Sequence, residues 1–176
     1  MRQDAASPIL SGAMGTSLRL AVLSACVWAA WGCAAPARRS YKSARREAYV
    51  NASPLAKAVV RTAKSYLPEE ENGRPAPRDC SDFVQKVFAE NGVKLPRTSS
   101  EMSLAGTRVA SSKELRMGDL VLFSGEKVSR VVGHVGIYIN NGVFINVLSQ
   151  EGGVEIGTLY SDYFRKRYLT GRRVIP

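Results

Sequence analysis

The hydrophobic period of this chain changes once, near Gly106, and that change limits the folds open to it. Before it, apolar residues recur at helical spacing. Ser53-Pro54 is an N-cap followed by proline at the first helical position, and Leu55, Val59, Ala63 and Tyr66 mark one face of a helix that stops at Pro68. In DCSDFVQKVFAENG, Asp79 caps a second helix carrying Phe83, Val84, Val87 and Phe88 inward, and Asn91-Gly92 ends it. Thr98-Ser99-Ser100-Glu101 is a capping box for a short third helix that Gly106 closes. After Gly106 come short runs rich in β-branched and aromatic residues: LVLFS (120–124), GHVGIYI (133–139), VFINV (143–147) and GVEI (153–156). Asn140-Asn141-Gly142 between two of them is a hairpin turn, and a last strand is expected near Gly171 to Ile175. Helices followed by a strand meander describe an α+β domain, its N-terminal helices packed on an antiparallel sheet. The segment EEENGRPAPR between the first two helices reads as a loop.

The first 33 residues read differently. After Arg19 the apolar run LAVLSACVWAAWG is too short for a membrane span and follows positive charge, the layout of a secretory signal peptide. The small residue before Cys33 is similar to a bacterial lipoprotein cleavage site, with Cys33 as the lipidated residue; Cys26, in Leu-Ser-Ala-Cys, is the alternative. Residues 34–50, rich in alanine and arginine, read as a flexible basic tether, and 51–176 as the folded domain. The chain is therefore expected to be exported and held at the cell envelope by lipid, on the periplasmic face of an outer membrane where one exists. Signal removal also takes away Arg2, Arg19 and Asp4, so the basic excess, formally +10 over 176 residues, stays almost wholly with the exported part. That excess favours anionic partners. No basic stripe interleaved with aromatics marks a nucleic-acid surface. No Cys/His set has metal-ligand spacing and no glycine-rich loop would hold a phosphate, so neither metal nor other cofactor is expected. The sequence leaves the oligomeric state open.

Cleavage at Cys33 would leave Cys80 as the single unmodified thiol of the exported part. It sits in the first turn of the second helix, where unpaired N–H groups and the helix dipole are expected to lower its pKa. His134, the chain's one histidine, opens a strand, with Gly133 and Gly136 beside it leaving backbone room. A hairpin turning at Asn141-Gly142 would bring Asn146 to the imidazole, where it could fix the tautomer. A nucleophile, a base and an orienting group are what thiol catalysis needs. Asp119 reads as a turn or strand-start residue, and the Arg/Lys cluster from Arg165 to Arg173 as surface.

The blocks DCSDFVQKVF, LPRTSSEM, ELRMGDLVLF, GHVGIYINNGVFI and RKRYLTGRRV, in this order, resemble the NlpC family of bacterial cell-wall cysteine peptidases. The resemblance runs from about Pro54 to Val174. It implies a papain-like fold and hydrolysis of peptidoglycan stem peptides, typically at the D-glutamyl–diaminopimelate bond, through a thioester. It makes Cys80 the nucleophile and His134 the base, and puts Asn146 where the family usually has histidine. Asp79, Ser81 and Arg97 are candidates for contacting substrate. The family usually has glycine at Asp82; the carboxylate there would favour the helix N-terminus or oppose thiolate formation. The family's usual tyrosine-bearing, glycine-rich approach to the cysteine is replaced by Tyr66-Leu67, Pro68 and three glutamates. An amidase or acyltransferase using the same pair, or a wall-binding lipoprotein without activity, are the other readings.

Overall fold

Each helix starts where a side chain can satisfy its first free N–H groups. In the computed structural model, which describes residues 47, 49–68, 74–148 and 153–176, Ser53 Oγ accepts from Ala56 N–H at 3.1 Å and opens α1 (Pro54–Lys64). Asp79 accepts from Asp82 N–H at 2.8 Å and opens α2 (Cys80–Glu90). Thr98 and Glu101 complete the capping box of α3 (Ser99–Met102). The expected signal peptide and both candidate lipidation cysteines lie outside the described residues. Glu47, Tyr49 and Val50, at the end of the expected tether, are helical. The described residues belong to one compact unit, Arg38–Pro176, and no helix among them is long and apolar enough to cross a membrane.

The strands are β1 (Thr107–Val109), β2 (Leu120–Ser124), β3 (Val132–Asn140), β4 (Val143–Val147), β5 (Val154–Thr158) and β6 (Tyr168–Arg173). They form one sheet in the order β1-β6-β2-β3-β4-β5, antiparallel throughout. The meander β2 to β5 follows the sequence reading, and Asn141 (φ 51°) and Gly142 (φ 76°) make the tight turn between β3 and β4. Three elements differ from expectation. The last strand starts at Tyr168, a short helix α4 (Asp162–Arg167) precedes it, and β1 is an additional edge strand beyond β6. The basic cluster is also less superficial than expected. Arg173 reaches the buried Asp119 with two bonds of 3.0 and 2.8 Å, and Arg167 donates to the carbonyls of Gly125 and Glu126.

The sheet buries both faces. Against the helices lie Val135, Ile137, Ile145 and Val147, packed on Val59, Phe83, Val84, Val87 and Phe88. The opposite face holds Phe123, Tyr138, Phe144 and, from α4, Phe164. At roughly 25 cal/mol per Å² these two apolar layers supply the main drive to fold. The Phe144 ring lies across the sheet because its neighbours are glycines: a Cβ on Gly136 or Gly157 would come within 2.7 and 2.6 Å of it.

Candidate active site

Cys80 is the first residue of α2, and the helix is pressed against β3, so its thiol is half-buried at the sheet. Backbone N–H groups of Val135, Ser81 and Cys80 itself favour its ionised form. The first of these matters most for geometry. The Val135 nitrogen belongs to the peptide that joins it to His134, so the strand residue bearing the imidazole is directly beside the sulfur.

His134 Nε2 lies 2.8 Å from Asn146 Oδ1. The Asn146 amide nitrogen points the other way, donating to the Glu155 carbonyl at 3.4 Å across β5. Oxygen therefore faces the imidazole, Nε2 carries the proton, and Nδ1 is the basic nitrogen. Register explains how the pair meets. Ile137 opposes Ile145 and Tyr138 opposes Phe144, which puts Asn146 opposite Gly136 rather than His134. Because residue 136 has no side chain, Asn146 can lean diagonally along the sheet face to the imidazole two positions away. A Cβ on Gly136 would stand 3.3 Å from that of Asn146. The turn alone, with Asn140 opposite Val143, would set Asn146 opposite Ile137; an irregularity between Tyr138 and Asn140 shifts the register by one residue and brings it opposite Gly136. Phe123 and Phe164, whose rings lie 5.8 and 6.1 Å from the imidazole, complete its surroundings. Phe164, on a helix the sequence reading missed, had no comparable signal.

The electrostatics correct one expectation. Burial pushes the Cys80 thiol above its usual value, and the nearby Asp79 charge adds to that, outweighing the N–H groups. Burial lowers the His134 pKa, and the Asn146 bond only partly offsets it. Both shifts favour the neutral forms, so burial opposes the ionisation expected of the thiol from its helix position. Nor does Asp82 supply the opposing charge. Its carboxylate is buried and turned away, accepting from Arg78 N–H at 2.9 Å and pairing with Lys86 at 2.9 Å and Arg78 at 3.2 Å. Burial raises its pKa, but these partners outweigh burial and hold it below the usual range.

Asp79, Ser81 and Arg97 come together as one network beside the thiol. Arg97 grips Asp79 at 2.6 and 3.1 Å and donates to Ser81 Oγ at 2.7 Å, while Ser81 donates to Asp79 at 2.8 Å. Chiefly through the Arg97 bonds, Asp79 is held well below the usual carboxylate range. Tyr66 is engaged elsewhere: it packs edge-on against Phe83 and donates to Glu90 at 2.6 Å. Among the described residues no three His, Cys, Asp or Glu side chains gather closely enough to hold a metal ion.

A thiol at a helix start, set against a strand-borne imidazole with an amide behind it, on an antiparallel sheet flanked by helices, defines the papain-like class of α+β folds. Within that class the profile of the NlpC/P60 family matches residues 70–173, and the chain belongs to that family. Over 98 residues it is 45% identical to the murein DD-endopeptidase MepS/murein LD-carboxypeptidase of Escherichia coli K12, a match covering 55% of this chain and 50% of that one. Over 96 residues it is 41% identical to the bifunctional muramidase/DL-endopeptidase CwlT of Bacillus subtilis, covering 54% and 28% of the two chains. Among solved structures it resembles an NlpC/P60 family protein from Bacillus cereus, with TM-score 0.60, 27% identity, and 71% of this chain and 42% of that one covered. The chain thus spans about half or less of the length of the curated relatives it matches.

Proposed function

We propose that this chain is a peptidoglycan hydrolase that cleaves stem peptides by cysteine-peptidase chemistry. One observation carries the reading: the Val135 N–H, in the peptide that follows His134, favours the Cys80 thiolate, while the His134–Asn146 bond leaves Nδ1 as the free base. In this mechanism Nδ1 takes the thiol proton as sulfur attacks the scissile carbonyl, and the N–H groups at the start of α2 hold the oxyanion. The imidazolium then gives its proton to the leaving amine, and water resolves the thioester. The resting pair is neutral, so proton transfer accompanies attack.

The bond we propose is D-glutamyl–diaminopimelate, the type typical of the family. A second reading, a DD-bond, is favoured by the name of the E. coli relative at 45% identity. Incubation of the protein with purified sacculi, followed by muropeptide analysis, separates these. New N-terminal diaminopimelate supports the first, and loss of cross-linked dimers without it supports the second. Unchanged muropeptides, or changes that persist in Cys80→Ala, refute hydrolysis through this site. We also propose that the chain is exported and anchored by lipid on Cys33, with Cys26 as the alternative. Palmitate labelling lost in Cys33→Ala and kept in Cys26→Ala is the expected result; the reverse moves the anchor to Cys26, and no labelling in the parent chain refutes it.

A further inference from the structure

Away from the thiol, on the sheet face opposite the helices, a cavity of about 670 Å³ opens between the β3–β4 turn, α4 and the segment before β2. That volume suits a small molecule. Tyr138, which lines it, is four residues along β3 from His134, roughly 13 Å at strand rise. None of its lining residues belongs to the Cys80 site.

Three properties of the lining specify an occupant. The first is unused donors. The Tyr168 hydroxyl and the Asn141 amide nitrogen are buried yet have no hydrogen-bond partner. Buried polar groups left this way are costly and uncommon, so two at one cavity point to a ligand that supplies acceptors. Tyr138 adds a third hydroxyl; its oxygen accepts from Gly142 N–H at 3.0 Å, leaving its own proton to give. Burial pushes the Tyr168 pKa up to about 12, so it remains a donor at any physiological pH. The second is charge. Lys113 and Arg165 line the cavity and no aspartate or glutamate does, although Arg165 also pairs with Asp162 at 2.7 Å. The third is shape. The Tyr160 ring is 74% exposed and packs against Gly142, where a Cβ would stand 2.5 Å from it. It offers an exposed aromatic surface at the mouth.

We propose that this cavity binds a saccharide bearing a carboxylate, its ring against Tyr160 and its acid oxygens taken by Tyr168, Asn141 and Lys113. The proposal does not depend on hydrolysis at Cys80, and its test is run in the full-length Cys80→Ala protein. N-acetylmuramic acid is titrated by calorimetry and by tyrosine and asparagine resonances. Saturable binding near the millimolar range is expected, with shifts at Tyr160 and Tyr168. Tyr168→Phe, which removes only the hydroxyl, is expected to weaken it about tenfold. So is Asn141→Gly, which keeps the left-handed turn and deletes the amide. N-acetylglucosamine, lacking the carboxylate, and D-lactate, lacking the ring, are each expected to bind at least tenfold more weakly. Equal binding of D-lactate or inorganic phosphate would show an adventitious anion site and overturn the proposal. Equal binding of N-acetylglucosamine, absence of saturable shifts, or unchanged affinity in both folded variants would overturn it as well. Retained binding in a protein that leaves sacculi intact would remove only the hydrolytic reading.

Discussion

Replacing Asn146 by alanine tests the arrangement of the base at its most local point. The side chain is fully buried and accepts the His134 Nε2 proton at 2.8 Å. Its other bond, 3.4 Å to Glu155, orients the amide but is the weaker of the two. In the transition state the imidazole carries a positive charge, so the lost bond is charge-assisted and worth about 1.5–3 kcal/mol. At 1.36 kcal/mol per decade this is a fall in kcat of about 10- to 150-fold, with KM little changed. The pH profile carries the sharper test. The Asn146 bond raises the His134 pKa against the larger, lowering effect of burial. Its removal therefore lets the pKa fall further, and the acid limb of kcat/KM moves to lower pH. Asn146→Asp puts a carboxylate there and moves the limb upward. Asn146→His, which can accept through a ring nitrogen, is expected to restore most of the rate. The assay is chromatographic turnover of a stem peptide between pH 4 and 9. A loss smaller than threefold, or an acid limb that stays put in both the alanine and aspartate variants, would refute the assignment of Nε2 as the tethered nitrogen.

The neutral pair makes its own prediction for the thiol. Alkylation by iodoacetamide is expected to rise in a single limb centred above the usual thiol value, because burial and Asp79 both disfavour the thiolate. Asp79→Asn, which can still cap the helix, shifts that limb to lower pH. A rate plateau extending below pH 6 would reveal a pre-formed thiolate–imidazolium pair and contradict this account. The Asp119–Arg173 pair is a matter of stability. Asp119 is 2% exposed, and Arg173→Met would leave it only the Arg116 N–H bond of 2.8 Å. The expected cost is ~3 kcal/mol, toward the low end for a broken buried pair because that bond remains. Thermal denaturation showing a loss below 1 kcal/mol would argue against burial of an ionised carboxylate, and Asp119→Asn added to Arg173→Met is expected to recover part of the loss.

What the sequence made legible was local in origin. Asp79, Ser53 and the Thr98–Glu101 box each close a helix start within four residues, so their roles could be read without knowing the fold. Asn141-Gly142 fixes one hairpin and so places Asn146 on the strand beside His134, but the exact register comes from an irregularity between Tyr138 and Asn140 that no local signal marks. The elements that escaped depend on distant partners. β1 is three residues, two of them exposed, and exists because β6 offers an edge; α4 buries one residue, Phe164, fitted against Phe123 and Phe144. Arg173 looked like surface charge because nothing within its own strand tells that Asp119, over fifty positions earlier, is waiting beneath it.

The thiol shows the same division acting on function. Read locally, a cysteine in the first turn of a helix should ionise easily, and the N–H groups of that turn do favour the thiolate. The sheet, however, covers the sulfur, and its desolvation cost is larger. The same β3 that raises the cost supplies the remedy, since the peptide that touches the sulfur carries the imidazole next to it. In the proposed mechanism such a site does not store a thiolate; its proton moves as a carbonyl is attacked. For the exported hydrolase proposed above that has practical weight, because a thiol that is protonated and half-buried is slower to oxidise than a standing thiolate. In the proposed reaction, burial of Cys80 limits its reactivity toward everything except a substrate bound where His134 can act, so access to that strand, rather than the intrinsic acidity of the cysteine, would select what is cleaved.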